Sequence, residues 1–322
     1  MSHLWGGTLG VRCDPVKRLI VGTQSMKPWI ALSTLSFILV GCGSDTDETQ
    51  AAFPMTLDLG EQYQAIVNMS DIENAQADFN IEVQSKDGSL LPDESVTIAP
   101  LMEMVSGMNH GTPMSKTQGN LDDNQQFTTT AYFLMPSGEE MGQWSFTLSF
   151  DGESASFPVD VTMNTADRQV LQGTDDVIMG MNNMTTPRRY FLFKQHRHVS
   201  ESMNQFTVYI AARETMMKHT SIESGLTLSG AMGDSTYDLT IENIVVEMCA
   251  VDCELETSWI TAMAVENTAG QFRASDLGLA GDTTDEIHVR LTVNDELKIQ
   301  GDGTQHAVFT FTDSSSAMTH SM

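Results

Sequence analysis

Hydrophobic and polar residues alternate in short runs along most of this chain, and helical periodicity is scarce. In one run Trp144, Phe146, Leu148 and Phe150 alternate with Gln143, Ser145, Thr147 and Ser149. The dipeptide Asp151-Gly152 follows, and then Phe157, Val159, Val161 and Met163 alternate again. Successive side chains of a strand point to opposite sides of a sheet, so this pattern predicts a β-hairpin with one buried face. The pattern recurs downstream, where Ile287, Val289, Leu291 and Val293 alternate with His288, Arg290 and Thr292 before Asn294-Asp295. A matching element precedes each hairpin, Gln126-Phe127 in one case and Gln271-Phe272 in the other. The expected fold class is therefore all-β, with two tandem Ig-like β-sandwich domains made from one repeated unit.

The first sandwich is expected over residues 55–165 and the second over 187–313, with Arg188 to Phe193 opening it. Residues 166–186 carry Gly173, Asp175, Asp176, Gly180, Asn182 and Asn183 and read as a linker. Residues 314–322 read as a polar tail.

One stretch breaks the alternation. Trp29 to Val40 is almost continuously apolar and follows Lys27. Crossing a bilayer takes about 20 such residues, so this segment is too short to span. It fits the apolar region of a signal peptide. It ends in Leu39-Val40-Gly41-Cys42, which resembles the bacterial lipobox, whose cysteine is lipidated and becomes N-terminal after cleavage. The competing reading is a buried helix with a chance cysteine. On the lipobox reading, residues 1–41 are an upstream segment and signal peptide that starts at Met26, and residues 42–54 are a lipidated tether. Gly43 after the cysteine, in place of Asp, points to the outer membrane with the protein facing the periplasm. The lipid anchor in the membrane is then the first expected partner.

Charge narrows the function. The chain has 43 acidic against 16 basic residues, a net charge of −27. Such a surface cannot displace counterions from phosphates, which argues against nucleic acid and against anionic lipid headgroups. The sequence has no phosphate-binding loop, nucleophile elbow, H-E-x-x-H or calcium loop, so no nucleotide is expected, and a binding or structural protein is expected in place of an enzyme. Cys249 and Cys253 have two readings. An oxidising periplasm favours a structural disulfide, and the same spacing also serves copper-delivery or redox pairs.

Methionine supplies the candidate chemistry. The chain has 22 methionines, and Met102, Met104, Met108, His110 and Met114 fall within thirteen positions. Pro100, Gly107, Gly111 and Pro113 interrupt that segment, which reads as a loop between strands, where sites concentrate. Thioether sulfur is soft and neutral and imidazole is borderline, so this donor set selects copper, as Cu(I), over oxygen-seeking cations. Thioethers also need no deprotonation. The competing reading is packing, because methionine fills irregular gaps. Smaller groups echo the cluster: Met179, Met181 and Met184; Met216, Met217 and His219; His196 and His198; and Met318, His320 and Met322.

The order Pro100-Leu-Met102, Met108-Asn-His110-Gly111, Phe133, Met135-Pro136 and Met141-Gly-Gln-Trp144 resembles the YtkA-like and FixH-like domains over about residues 80–162. These are small exported Ig-like sandwiches. The sequence departs from their pattern in Asn109, where glycine is usual, and in the directly abutting Met141-Gly142. The resemblance implies copper handling or assembly of copper enzymes, with Met102, Met104, Met108 and His110 as the first residues to suspect and Met141 nearby. The expected function is a periplasm-facing lipoprotein that binds copper for buffering or delivery to a copper-protein or envelope partner. The alternative is a metal-free structural or interaction lipoprotein with Ig-like domains.

Overall fold

A computed structural model describes residues 52–180, 184–200, 203–230, 235–279 and 285–311, and in them the alternation becomes strands throughout. The signal region, Cys42, Met181 and the tail with Met318, His320 and Met322 lie outside the described residues. The first half contains β1 (Met55–Leu59), β2 (Tyr63–Met69), β3 (Gln76–Ser85), β4 (Ser95–Met104), β5 (Asn109–His110), β6 (Gln118–Asn120), β7 (Gln126–Tyr132), β8 (Gly142–Phe150) and β9 (Glu153–Val159). The second contains β10 (Arg168–Met179), β11 (Thr185–Ser200), β12 (Met203–Arg213), β13 (His219–Ser221), β14 (Thr227–Leu228), β15 (Leu239–Thr240) and β16 (Ile244–Cys249). It continues with β17 (Ile260–Thr261), β18 (Met263–Ala264), β19 (Gln271–Ser275), β20 (Asp285–Val293), β21 (Glu296–Leu297) and β22 (Ala307–Phe311).

The two halves use the same strand order. The first has one sheet ordered β1-β2-β3-β7 and another ordered β5-β4-β8-β9, with β6 also on β4. The second has β10-β11-β12-β19-β18 and β17-β16-β20-β21, with β13 on β12, β22 on β20 and a separate β14-β15 pair. The main pairings are antiparallel. Both hairpin turns have two consecutive residues at positive φ: Asp151 and Gly152 at 48° and 78°, Asn294 and Asp295 at 49° and 64°. That backbone matches the twist of the flanking strands and suits Asp, Asn and Gly. It sets the register Phe150↔Glu153 in one hairpin and Val293↔Glu296 in the other.

Each half buries a core between its sheets. Trp144, Phe146, Leu148 and Phe150 lie in the first, with Phe79, Phe157 and Met102. Ile287, Val289, Leu291 and Val293 lie in the second, with Phe206 and Phe309. Each such side chain contributes about 1.5–3 kcal/mol by leaving water. A third cluster of Tyr132, Leu134, Phe191, Phe193 and Tyr209 joins the halves. There the rings of Tyr132 and Tyr209 stack with centroids 3.6 Å apart.

Two expectations need correction. The segment 166–186 is no linker: Arg168–Met179 is a strand paired with β11, which itself begins at Thr185. Its turn-like residues make a bulge, where the register shifts between Gln172 and Val177. A Cβ on Gly173 would lie 2.7 Å from that of Asp176, so the bulge requires glycine there. Asp176 is buried because it pairs with the fully buried Arg188, at 2.9 Å. The Met/His segment is likewise no open loop from Pro100 onward, since β4 runs through Pro100 to Met104. The proline is tolerated because Ile98 N–H donates to Thr117 on one side of β4 and Met104 N–H to Met108 on the same side. Pro100 faces that side too, in the gap between β6 at residues 95–97 and β5 at 102–103, where no ladder partner is lost.

Candidate metal centre at the Met/His hairpin

The Met/His segment forms a hairpin between β4 and β5. Gly107, at φ 80°, donates its N–H to the carbonyl of Met104, and Met104 N–H donates to Met108. Met102 lies directly opposite His110 and Glu103 opposite Asn109. Side chains opposite one another share a face and those two apart on a strand do too, so Met102, Met104, Met108 and His110 project from one face of the hairpin. Glu103 and Asn109 occupy the other face and are exposed.

Depth varies along that face. Met102 is fully buried in the first core, opposite Trp144 as well as His110. Met104 is half-buried and packs against the same core, as do Met135 and Met141. His110 is half-buried and Met108 is exposed at the tip. Met114 is buried in the core beyond the hairpin and forms a bridge to Ala131. Packing accounts for Met102 and Met114 where they sit. Met104, Met108 and His110 remain reachable from solvent.

The hairpin docks on the second half of the molecule. Gly111 N–H donates to the carbonyl of Met216 at 3.0 Å, in the turn between β12 and β13. A Cβ on Gly111 would lie 2.1 Å from the carbonyl oxygen of Met217, so only glycine allows this approach. The glycine that follows His110 thus has a structural cause.

That docking brings a second imidazole near the first. His219 opens β13, and its ring meets Phe191 edge-on at 5.4 Å. Its Nδ1 is sealed from solvent and has no hydrogen-bond partner. Burial first, then the Arg213 guanidinium and His110, hold its pKa down at about 3, so the ring is neutral. His110 is also shifted down, by burial and then by Arg213. Both rings therefore keep a free lone pair near neutral pH. The Arg213 charge acts on both, which disfavours a divalent cation more than a monovalent one. Among the described residues no three His, Cys, Asp or Glu side chains group as a metal site.

The other sequence-predicted positions fall elsewhere. Cys249 and Cys253 are joined by a disulfide, with Cα atoms 5.7 Å apart. Beside it Arg290 stacks over Trp259 at 3.8 Å and holds Glu256 through two hydrogen bonds, while the rings of His288 and His306 lie 4.7 Å apart. His196 and His198 fall on β11, and their side chains lie outside the described residues. Met179, Met184, Met216 and Met217, which are two separate groups in sequence, line a single cavity. Sequence reasoning noticed Met216, Met217 and His219 as a group and missed their contact with the His110 hairpin. Nothing local signals a contact over that separation.

A scan of protein families finds none that matches the chain, and a search of curated proteins finds no match.

Proposed function

We propose that this chain is a lipid-anchored protein of the cell envelope, facing the periplasm, that binds copper as Cu(I) at the Met/His hairpin for buffering or delivery. The observation that carries this reading is the hairpin face on which Met102, Met104, Met108 and His110 project together, with the neutral His219 close by. The donors fit the ion. Thioethers and neutral imidazoles suit a soft monovalent cation and offer little to calcium, magnesium or manganese. Met104, Met108 and His110 are the ligands accessible from solvent, and Met102 backs them from the core. Copper delivery would suit an exposed Met108 at the tip, where a partner can reach it.

The metal-free envelope protein is the second reading. The burial of Met102 and Met114, which packing alone explains, favours it. An anaerobic Cu(I) titration separates the two. The chain is prepared with Cys13→Ser and Cys42→Ser so that no free thiol contributes. Copper binding predicts uptake of one equivalent, and the metal-free reading predicts no stoichiometric uptake.

A further inference from the structure

A cavity of about 710 Å³ opens between the end of the β10–β11 hairpin and the turn after β12. Its size falls within the range of about 300–1,000 Å³ usual for small-molecule sites. Ile178, Met179, Met184, Pro187, Met216 and Met217 give it apolar walls. Methionine side chains are flexible and polarizable, so such walls can adapt to a chain of variable shape.

Its charge is the unusual feature. In a protein of net charge −27, this cavity is lined by two guanidiniums, those of Arg189 and Arg213. Neither pairs with a carboxylate among the described residues. Among the described residues Arg213 donates only to the sulfur of Met216, at 3.8 Å, and its buried Nε has no partner. Arg189 lies near enough to press on the ionisation of Arg213. The neighbouring Arg188 differs, since Asp176 neutralises it. Among the described residues Glu214 is the one acid lining the cavity, and its carboxylate is already taken by Lys218 at 3.0 Å, by the backbone N–H of Ser229 at 2.7 Å and by the Thr220 hydroxyl. Arg213 is half-buried and Arg189 is exposed beside it, so water screens part of their repulsion, and a carboxylate lying between them would pair with both planar guanidiniums.

We infer that this cavity binds a single-chain amphiphile with an anionic head, a long-chain carboxylate, whose head lies on Arg189 and Arg213 and whose chain lies among Met179, Met184, Met216 and Met217. The inference does not rest on copper binding, although the turn at Met216 and Met217 is also where the Met/His hairpin docks.

The test is calorimetric titration of the full chain, carrying Cys42→Ser, with dodecanoate below its micelle concentration. Dodecanol and acetate run as parallel probes. The inference expects one-to-one binding of dodecanoate, at least tenfold weaker binding of dodecanol and none of acetate. It also expects the Arg189→Gln/Arg213→Gln double variant to lose at least tenfold in affinity. Met217 is partly exposed at the cavity, so Met217→Glu keeps the fold, and its added carboxylate should also weaken dodecanoate at least tenfold. If the double variant fails to fold by circular dichroism, Met217→Glu carries the test. No binding of dodecanoate, equal binding of dodecanol, or unchanged affinity in the folded variants would each overturn the inference.

Discussion

Protonating His219 should unfold this protein from one identifiable position. Its pKa is held at about 3, by burial first and then by Arg213 and His110, against an ordinary value of 6.5. The unfolded chain therefore binds a proton that the folded chain refuses between those values. The sign follows directly. This contribution is fully present above pH 6.5 and is lost as pH falls toward 3. One proton corresponds to about 1.4 kcal/mol per pH unit, so roughly 2 kcal/mol is gone at pH 5. His110, His288 and His306 are shifted down as well, and Asp87 and Glu296 are held near 2, so the whole protein loses stability in acid for several reasons. A difference measurement isolates His219. Urea unfolding of the wild type and of His219→Phe, followed by circular dichroism, should give wild-type stability that falls more steeply between pH 6.5 and 5, by about 2 kcal/mol in total. Phenylalanine preserves the edge contact with Phe191 and removes the titration. Parallel pH dependences for the two proteins would refute the neutral buried ring.

Other substitutions test the supports of the site. Gly111→Ala must push against the Met217 carbonyl 2.1 Å away, and thermal unfolding should reveal a loss of about 1–3 kcal/mol. Asp176→Asn leaves the fully buried Arg188 without its charge partner and should cost about 3–5 kcal/mol in denaturant unfolding. The Cys249–Cys253 disulfide closes a short loop and should add about 2 kcal/mol, read as the stability lost in Cys249→Ser/Cys253→Ser. Mass analysis without reductant should find no free thiol at either position.

Much of the fold was legible in the amino-acid sequence because it rests on period-two alternation. β8 and β20 stand out through Trp144 to Phe150 and Ile287 to Val293, whose apolar residues all face a core. The turn dipeptides were readable as well, since Asp151-Gly152 and Asn294-Asp295 suit the left-handed backbone that a two-residue hairpin demands. β10 was not legible. Its Gly173, Asp175 and Asp176 look like turn residues, and the partners that explain a buried aspartate inside a strand, Arg188, Lys298 and the Tyr190 hydroxyl, are tertiary. Pro100 misled in the same way, because the gap between β5 and β6 that tolerates it is a property of two distant segments.

The candidate site was legible only in part. The residue types and spacing singled out Met102 to Met114, and the register adds the shared face that spacing alone could not specify. Sequence gave no means to separate Met102 and Met114, which the core buries, from Met104, Met108 and His110, which stay within reach of solvent. His219, Arg213 and the cavity of four methionines depend on the two halves docking through Gly111, which no local pattern records.

The most direct test of the copper reading is an anaerobic competition for Cu(I) between a chromophoric chelator and two proteins, both with Cys13→Ser and Cys42→Ser. One has the wild-type hairpin and the other carries Met104→Leu, Met108→Leu and His110→Gln, changes that conserve volume and leave the buried Met102 in place. The copper reading predicts that the wild-type hairpin takes one equivalent from the chelator and that the variant binds at least about 100-fold more weakly, a loss of roughly 2.8 kcal/mol. Equal Cu(I) affinity in the two proteins would contradict it.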